Sequence, residues 1–150
     1  MENDYNEKGA YYWLLGEFEK AIVCYQKAID INPEDAKAYH NMGLAYCNLG
    51  KFEKTVACYQ KAIDINPEYA SAYYNMGLTY YNLGKFEKAV ACYQKAIDIN
   101  PEDAKAYDNM GVAYCNLGKS EKAIACFQKA IDINPEHANA YYNMGNAYYN

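Results

Sequence analysis

Cysteine and histidine have the widest chemical repertoire of any residues here, and the chain carries six of the first and two of the second. Thiols and imidazoles at short spacing would hold a metal, typically through a C-x-x-C pair with a second pair further along. No C-x-x-C occurs. Cys24, Cys58, Cys92 and Cys126 instead recur at one interval, and Cys47 and Cys115 at twice that interval, while His40 and His137 stand at unrelated places in the spacing. If each cysteine occupies the same place on successive packed helices, neighbours lie roughly 8–10 Å apart. That exceeds the roughly 7 Å limit for a disulfide. Free thiols, buried or half-buried, are therefore expected, with no metal and no cofactor.

Nucleophilic and acid–base chemistry find no better footing. The two serines, Ser71 and Ser120, stand in no nucleophile motif, and the glycines are isolated rather than gathered in a phosphate-binding loop. The acidic pairs Glu34-Asp35 and Glu102-Asp103 follow prolines at a turn, where a charge beside a helix N-terminus is the simpler use. The chain is expected not to be an enzyme.

The interval that spaces the cysteines belongs to the whole chain. The prolines are Pro33, Pro67, Pro101 and Pro135, each in the phrase I-D-I-N-P-E, at a period of 34 residues. Gly50 to Glu68 and Gly84 to Glu102 differ only in Thr55 against Ala89, which is closer agreement than shared amphipathicity would produce. Within one period two helices are expected. The first, such as Ala70 to Leu83, ends at a glycine suited to a helix C-cap. The second, about Lys85 to Asp98, stops before an Asn-Pro step that disfavours further helix, and the proline opens the next repeat. Short connections between helices of this length force antiparallel hairpins.

In repeat numbering, Tyr39, Met42-Gly43, Tyr46, Thr55, Tyr59, Ala62 and Pro67 stand at positions 4, 7–8, 11, 20, 24, 27 and 32. Tyr73, Met76-Gly77, Tyr80, Ala89, Tyr93, Ala96 and Pro101 follow, then Tyr107, Met110-Gly111, Tyr114, Ala123, Phe127, Ala130 and Pro135. The first repeat is looser, with Tyr5, Lys8-Gly9, Tyr12, Ala21, Tyr25, Ala28 and Pro33; the fifth carries only Tyr141, Met144-Gly145 and Tyr148. This pattern resembles the tetratricopeptide repeat family over essentially the whole sequence. The resemblance implies an all-α, right-handed α-solenoid of antiparallel helix-turn-helix units. One array over 1–150 is expected, divided as 2–35, 36–69, 70–103, 104–137 and an incomplete 138–150. The pattern is physically coherent, because positions 4, 7, 8 and 11 share one helix face. Small residues at 8, 20 and 27 let backbones approach, and no single hairpin can bury that face alone. Most of the 19 tyrosines are therefore packing residues.

Net charge is −5 and every basic residue is a lysine. That counts against nucleic acid, which needs a basic face and often arginine forks, and against arginine-type phosphate clamps. No stretch of 18 apolar residues occurs and the N-terminus is acidic, so neither a membrane span nor a signal peptide is expected. A cytoplasmic protein is the default.

If positions 4, 7, 8 and 11 face the second helix, then 2, 5, 6, 9, 12 and 13 line the concave side of a solenoid. Position 6 reads Glu7, Asn41, Asn75, Asn109, Asn143; position 13 reads Leu14, Asn48, Asn82, Asn116, Asn150. Tyr74, Tyr81, Tyr142 and Tyr149 lie between, with Cys47, Cys115, Leu78 and Val112 adding apolar surface, Lys37 and Lys105 at position 2, and His40 and Asp108 at position 5. A carboxamide matches both groups of a peptide backbone, so such a ladder suits an extended peptide; the alternative use is to bridge adjacent first helices. The ladder resembles the asparagine column in the tetratricopeptide superhelix of O-linked N-acetylglucosamine transferases, as does the phrase A-Y-x-N-hydrophobic-G at Ala72 to Gly77. Family members that capture chaperone tails use a two-carboxylate clamp with Lys at 5, Asn at 9, Asn at 6 of the next repeat, then Lys at 2 and Lys or Arg at 6. The three registers here supply Asn6, Ala10, Asn41, Ser71, Asn75, then His40, Leu44, Asn75, Lys105, Asn109, then Tyr74, Leu78, Asn109, Asn139, Asn143. Most of the positive charge is missing, and no chaperone-tail binding is expected. The resulting expectation is a non-catalytic scaffold for a protein or extended peptide. Self-association through the last helix, and the repeat portion of a larger enzyme or signalling protein, are the alternatives.

Overall fold

The structure, a computed structural model, describes residues 1–149; Asn150, the last member of the position-13 column, and the Glu2 side chain lie outside the described residues. Those described form only helices and turns. First helices are α1 (Glu2–Leu14), α3 (Ala36–Asn48), α5 (Ala70–Asn82), α7 (Ala104–Asn116) and α9 (Ala138–Tyr148). Second helices are α2 (Phe18–Ile31), α4 (Phe52–Ile65), α6 (Phe86–Ile99) and α8 (Ser120–Ile133). The expected bounds hold to within a residue or so, which is the usual scatter at helix ends. The chain forms two compact bodies, residues 1–72 and residues 73–150.

The turns follow from named residues. After each complete first helix, Gly16, Gly50, Gly84 and Gly118 take φ of 67–74°, a left-handed conformation that a Cβ would oppose. This lets the next residue fold back, as Lys51 N–H does to the Tyr46 carbonyl at 3.0 Å. At the other turn the Asn of N-P-E accepts a backbone bond two residues on, as Asn66 Oδ1 does from Glu68 N–H at 3.1 Å. The Asn-Pro pair thus stops one helix and shapes the entry to the next. Asp35 and Asp103 then cap α3 and α7, accepting from Ala38 N–H at 3.0 Å and Ala106 N–H at 3.1 Å, an N-cap that typically contributes about 1 kcal/mol. The aspartate of each acidic pair at this turn is used as a helix cap.

Each body buries one helix face as the spacing requires. In the first, Ala21, Tyr25, Ala28, Ile29, Ala38, Met42, Ala45 and Cys58 form the core. In the second, Ala89, Tyr93, Ile97, Ala106, Met110, Ala113 and Cys126 do the same. The aromatic at position 24 sets the distance between the helices of a hairpin. A Cβ placed on Gly43 would stand 2.7 Å from the Tyr59 ring, and one on Gly77 would stand 2.7 Å from Tyr93. These glycines are the seats of the aromatic rings. Thr55 and Thr79 are buried among alanine positions and satisfy their hydroxyls on the carbonyls of Lys51 and Asn75.

Candidate functional site

With position 24 fixing the hairpin, the remaining first-helix positions divide by burial. Lys37, Lys105, Asn48, Asn82 and Asn116 are exposed; Asn41, Asn75, Asn109, Asn143, Tyr74 and Tyr81 are half-buried. Position 5 is further in, since His40 and Asp108 are buried. These two do not present free polar groups to solvent, and the reason is a second repeat position that the spacing alone left unremarked.

That position is 34, the last residue before a first helix, occupied by Asp35, Tyr69, Asp103 and His137. Asn6 Nδ2 donates to Asp35 Oδ2 at 2.7 Å. The His40 ring lies 5.0 Å from that of Tyr69. His137 Nε2 meets Asp108 Oδ2 at 3.1 Å with both side chains largely buried. In the repeat of Tyr74, burial raises the phenol pKa first and the nearby Asp103 carboxylate raises it further. Positions 5 and 34 are thus partners, and His40 and His137 occupy the two sides of the same contact in different repeats. The readable trace is that both positions vary in chemical type along the chain while the neighbouring P-E stays constant, as does A-Y from the second repeat onward.

Position 6 of the following repeat closes the contact in the second body. Asn109 Nδ2 donates to the Tyr74 hydroxyl at 2.8 Å, and Asn143 Nδ2 donates to Asp108 Oδ1 at 3.0 Å. Asn41 hydrogen-bonds the neighbouring His40 ring, which raises the imidazole pKa, but burial is the larger effect and holds it below the ordinary value. At position 13, Asn116 Nδ2 spans to the Tyr81 hydroxyl at 3.2 Å and to the Val112 carbonyl at 2.9 Å. Asn48 Nδ2 donates within its own helix, to the Leu44 carbonyl at 2.9 Å.

Two clefts open between neighbouring first helices, one in each body, at the same repeat positions. In the first body Ala10, Trp13, Leu14, Tyr25, Asn41 and Leu44 line about 270 Å³. In the second, Leu78, Tyr81, Asn82, Tyr93, Asn109 and Val112 line about 190 Å³. Burial pushes the Tyr25 phenol up to about 12 and raises that of Tyr93 as well, so both hydroxyls keep their protons. The thiols of Cys58, Cys92 and Cys126 are pushed up to about 11 by burial, and those of Cys47 and Cys115 are raised for the same reason. Such thiols are poor nucleophiles and poor ligands. Among the described residues, no group of three or more His, Cys, Asp or Glu side chains is placed to hold a metal ion, and no helix is long and apolar enough to cross a membrane.

A family model described as TPR repeat matches residues 9–50, 43–84 and 113–150. Two described as tetratricopeptide repeat match 70–103 and 92–125. No curated protein matches the chain. Among solved structures, the MamA protein superposes with a TM-score of 0.92 at 28% identity, over 99% of this chain and 81% of that one. MamA residues 41 to the end from Desulfovibrio magneticus RS-1 gives 0.90 at 25%, over 97% and 82%. YrrB, described as a TPR protein with an unusual peptide-binding site, gives 0.83 at 26%, over 97% and 75%.

Proposed function

The chain belongs to the tetratricopeptide repeat family, a family of protein-interaction scaffolds, and on that premise we propose that it binds an extended peptide segment in the groove lined by its first helices. The observation that carries this reading is the split in burial. Packing uses positions 4, 7, 8 and 11, and the 5–34 contacts take up position 5. Positions 2 and 13 keep Lys37, Lys105, Asn48, Asn82 and Asn116 exposed. Asparagines there offer a donor and an acceptor to a passing backbone, each contact contributing about 0.5–1.5 kcal/mol. YrrB, with its peptide-binding site, is a relative in structure that points the same way. The scaffold acts without catalysis, metal or cofactor, in the cytoplasm, as a single array over 1–150, and its ligand is neither nucleic acid nor a chaperone tail.

A photo-crosslinking residue at Asn48 or Asn82 tests this. Capture of a partner from these sites, and not from Asp64 or Asp98 on second helices, is the expected result. Equal capture from both sets, or capture from neither, would overturn it.

A second reading, self-association through α9, draws on three observations. Tyr141 is 49% and Tyr148 67% exposed. A Cβ on Gly145 would meet nothing within 4 Å, unlike its counterparts at Gly43, Gly77 and Gly111. Sedimentation across a hundredfold range of concentration separates the readings: a constant monomer mass removes this one.

A further inference from the structure

The cleft of the second body is small and lined by uncharged side chains. We infer that the cleft between α5 and α7 is a seat for one aliphatic side chain, of leucine, isoleucine, valine or methionine type, carried by an uncharged stretch of extended peptide. The inference rests on the peptide-binding reading above and adds the chemistry of the ligand.

Size sets the first limit. At about 190 Å³ the cleft falls below the roughly 300 Å³ where pockets for drug-sized ligands begin, yet it far exceeds the roughly 30 Å³ of one water. Its walls are Leu78, Val112 and the Tyr81 ring. That ring is held at both ends: Phe86 meets it edge-on at 5.4 Å, and Asn116 donates to its hydroxyl at 3.2 Å. A wall fixed before the ligand arrives removes part of the ordering cost of binding.

Charge sets the second limit. The six lining residues are leucine, valine, two asparagines and two tyrosines, none of a type charged at neutral pH. A charged ligand side chain would shed water there without a partner. The rim then supplies what a backbone needs. Asn109 has its amide committed to Tyr74, which leaves Oδ1 to accept a peptide N–H. Asn82 is exposed on the facing helix and offers both a donor and an acceptor. The equivalent cleft of the first body is wider and has Leu14 where Asn82 stands, so it lacks that second carboxamide.

Peptide display tests this on the full chain, with random heptapeptides flanked by prolines as the probe. Enriched peptides are expected to share one Leu, Ile, Val or Met with uncharged neighbours. Val112→Trp, which fills the cleft, should weaken such a peptide by about tenfold or more, the effect of losing a buried aliphatic side chain. Val112 is half-buried, so its replacement is paired with Asn82→Ala at an exposed site, expected to weaken binding several-fold with the melting temperature unchanged. An acidic, basic or aromatic consensus overturns the inference, as does an aliphatic consensus indifferent to both variants. Failure to enrich any peptide also overturns it. If crosslinking from Asn48 and Asn82 still captures a partner in those cases, the peptide-binding reading stands alone; if it captures nothing, both fall.

Discussion

His40 illustrates how one repeated position can serve different chemistry. Its ring is buried between Tyr59 and Tyr69, with centroids at 5.5 and 5.0 Å. Burial depresses its pKa below the ordinary 6.5, and the Asn41 hydrogen bond offsets this only in part. Below about pH 6.5 the unfolded chain therefore binds more protons than the folded one. The stability linked to this group is complete above about pH 6.5 and is lost as pH falls through the folded value. His40→Phe should flatten that part of the pH dependence, measured as the difference between variant and parent in urea melts from about pH 5 to 7.5. The thiols give a second residue-scale expectation. Half-buried Cys47 and Cys115 should react with iodoacetamide before Cys58, Cys92 and Cys126, whose pKa is near 11; peptide mass mapping at short times reads the order. Free thiols followed from the period alone. The partnership of positions 5 and 34 did not, because residues 29 apart meet only once two helices and a turn are in place.

At the scale of the helix, most of what the spacing implied reappears in the packing. The Leu-Gly and Asn-Pro steps bound the helices, and the aromatic at position 24 is the most enclosed large side chain in its hairpin, with Tyr59 and Tyr93 each 1% exposed. The two kinds of glycine now separate by mechanism. Gly77→Ala drives a methyl into Tyr93, and overpacking of this sort costs about 1–3 kcal/mol. Gly84→Ala meets nothing within 4 Å but must hold φ at +70°, a strain of roughly 1–2 kcal/mol. Gly84→Asn should recover much of the second loss, since Asn tolerates that conformation, whereas Gly77→Asn should recover none. Thermal melts of the four variants decide it. Burial of position 5 was harder to read, because helical spacing puts it at the edge of the packed face, where its depth depends on what the turn after the second helix places beside it.

For the whole molecule, the repeat makes stability a sum of units and their interfaces. Excising residues 70–103 would join Tyr69 to Ala104 without changing phase. The shortened chain should keep its helical circular dichroism and melt cooperatively at a lower temperature. Loss of helicity out of proportion to length would argue against a single array. The fold was legible in the sequence because every repeat restates it. The binding face was legible only as positions, since whether an asparagine is free or engaged depends on side-chain reach across the interface, as Asn109 and Asn143 demonstrate.

The contact between positions 5 and 34 has an evolutionary consequence. Both members of each pair, Asn6 with Asp35 and Asp108 with His137, lie inside one 34-residue period. The following repeat contributes an asparagine at the same place in every case, from Asn41 to Asn143. A gene segment encoding one period therefore carries its own matched pair wherever recombination inserts it, and finds a compatible neighbour already in place. Unequal crossing-over could lengthen or shorten such an array without separating residues that have to change together, leaving each copy free to drift where ligands are read.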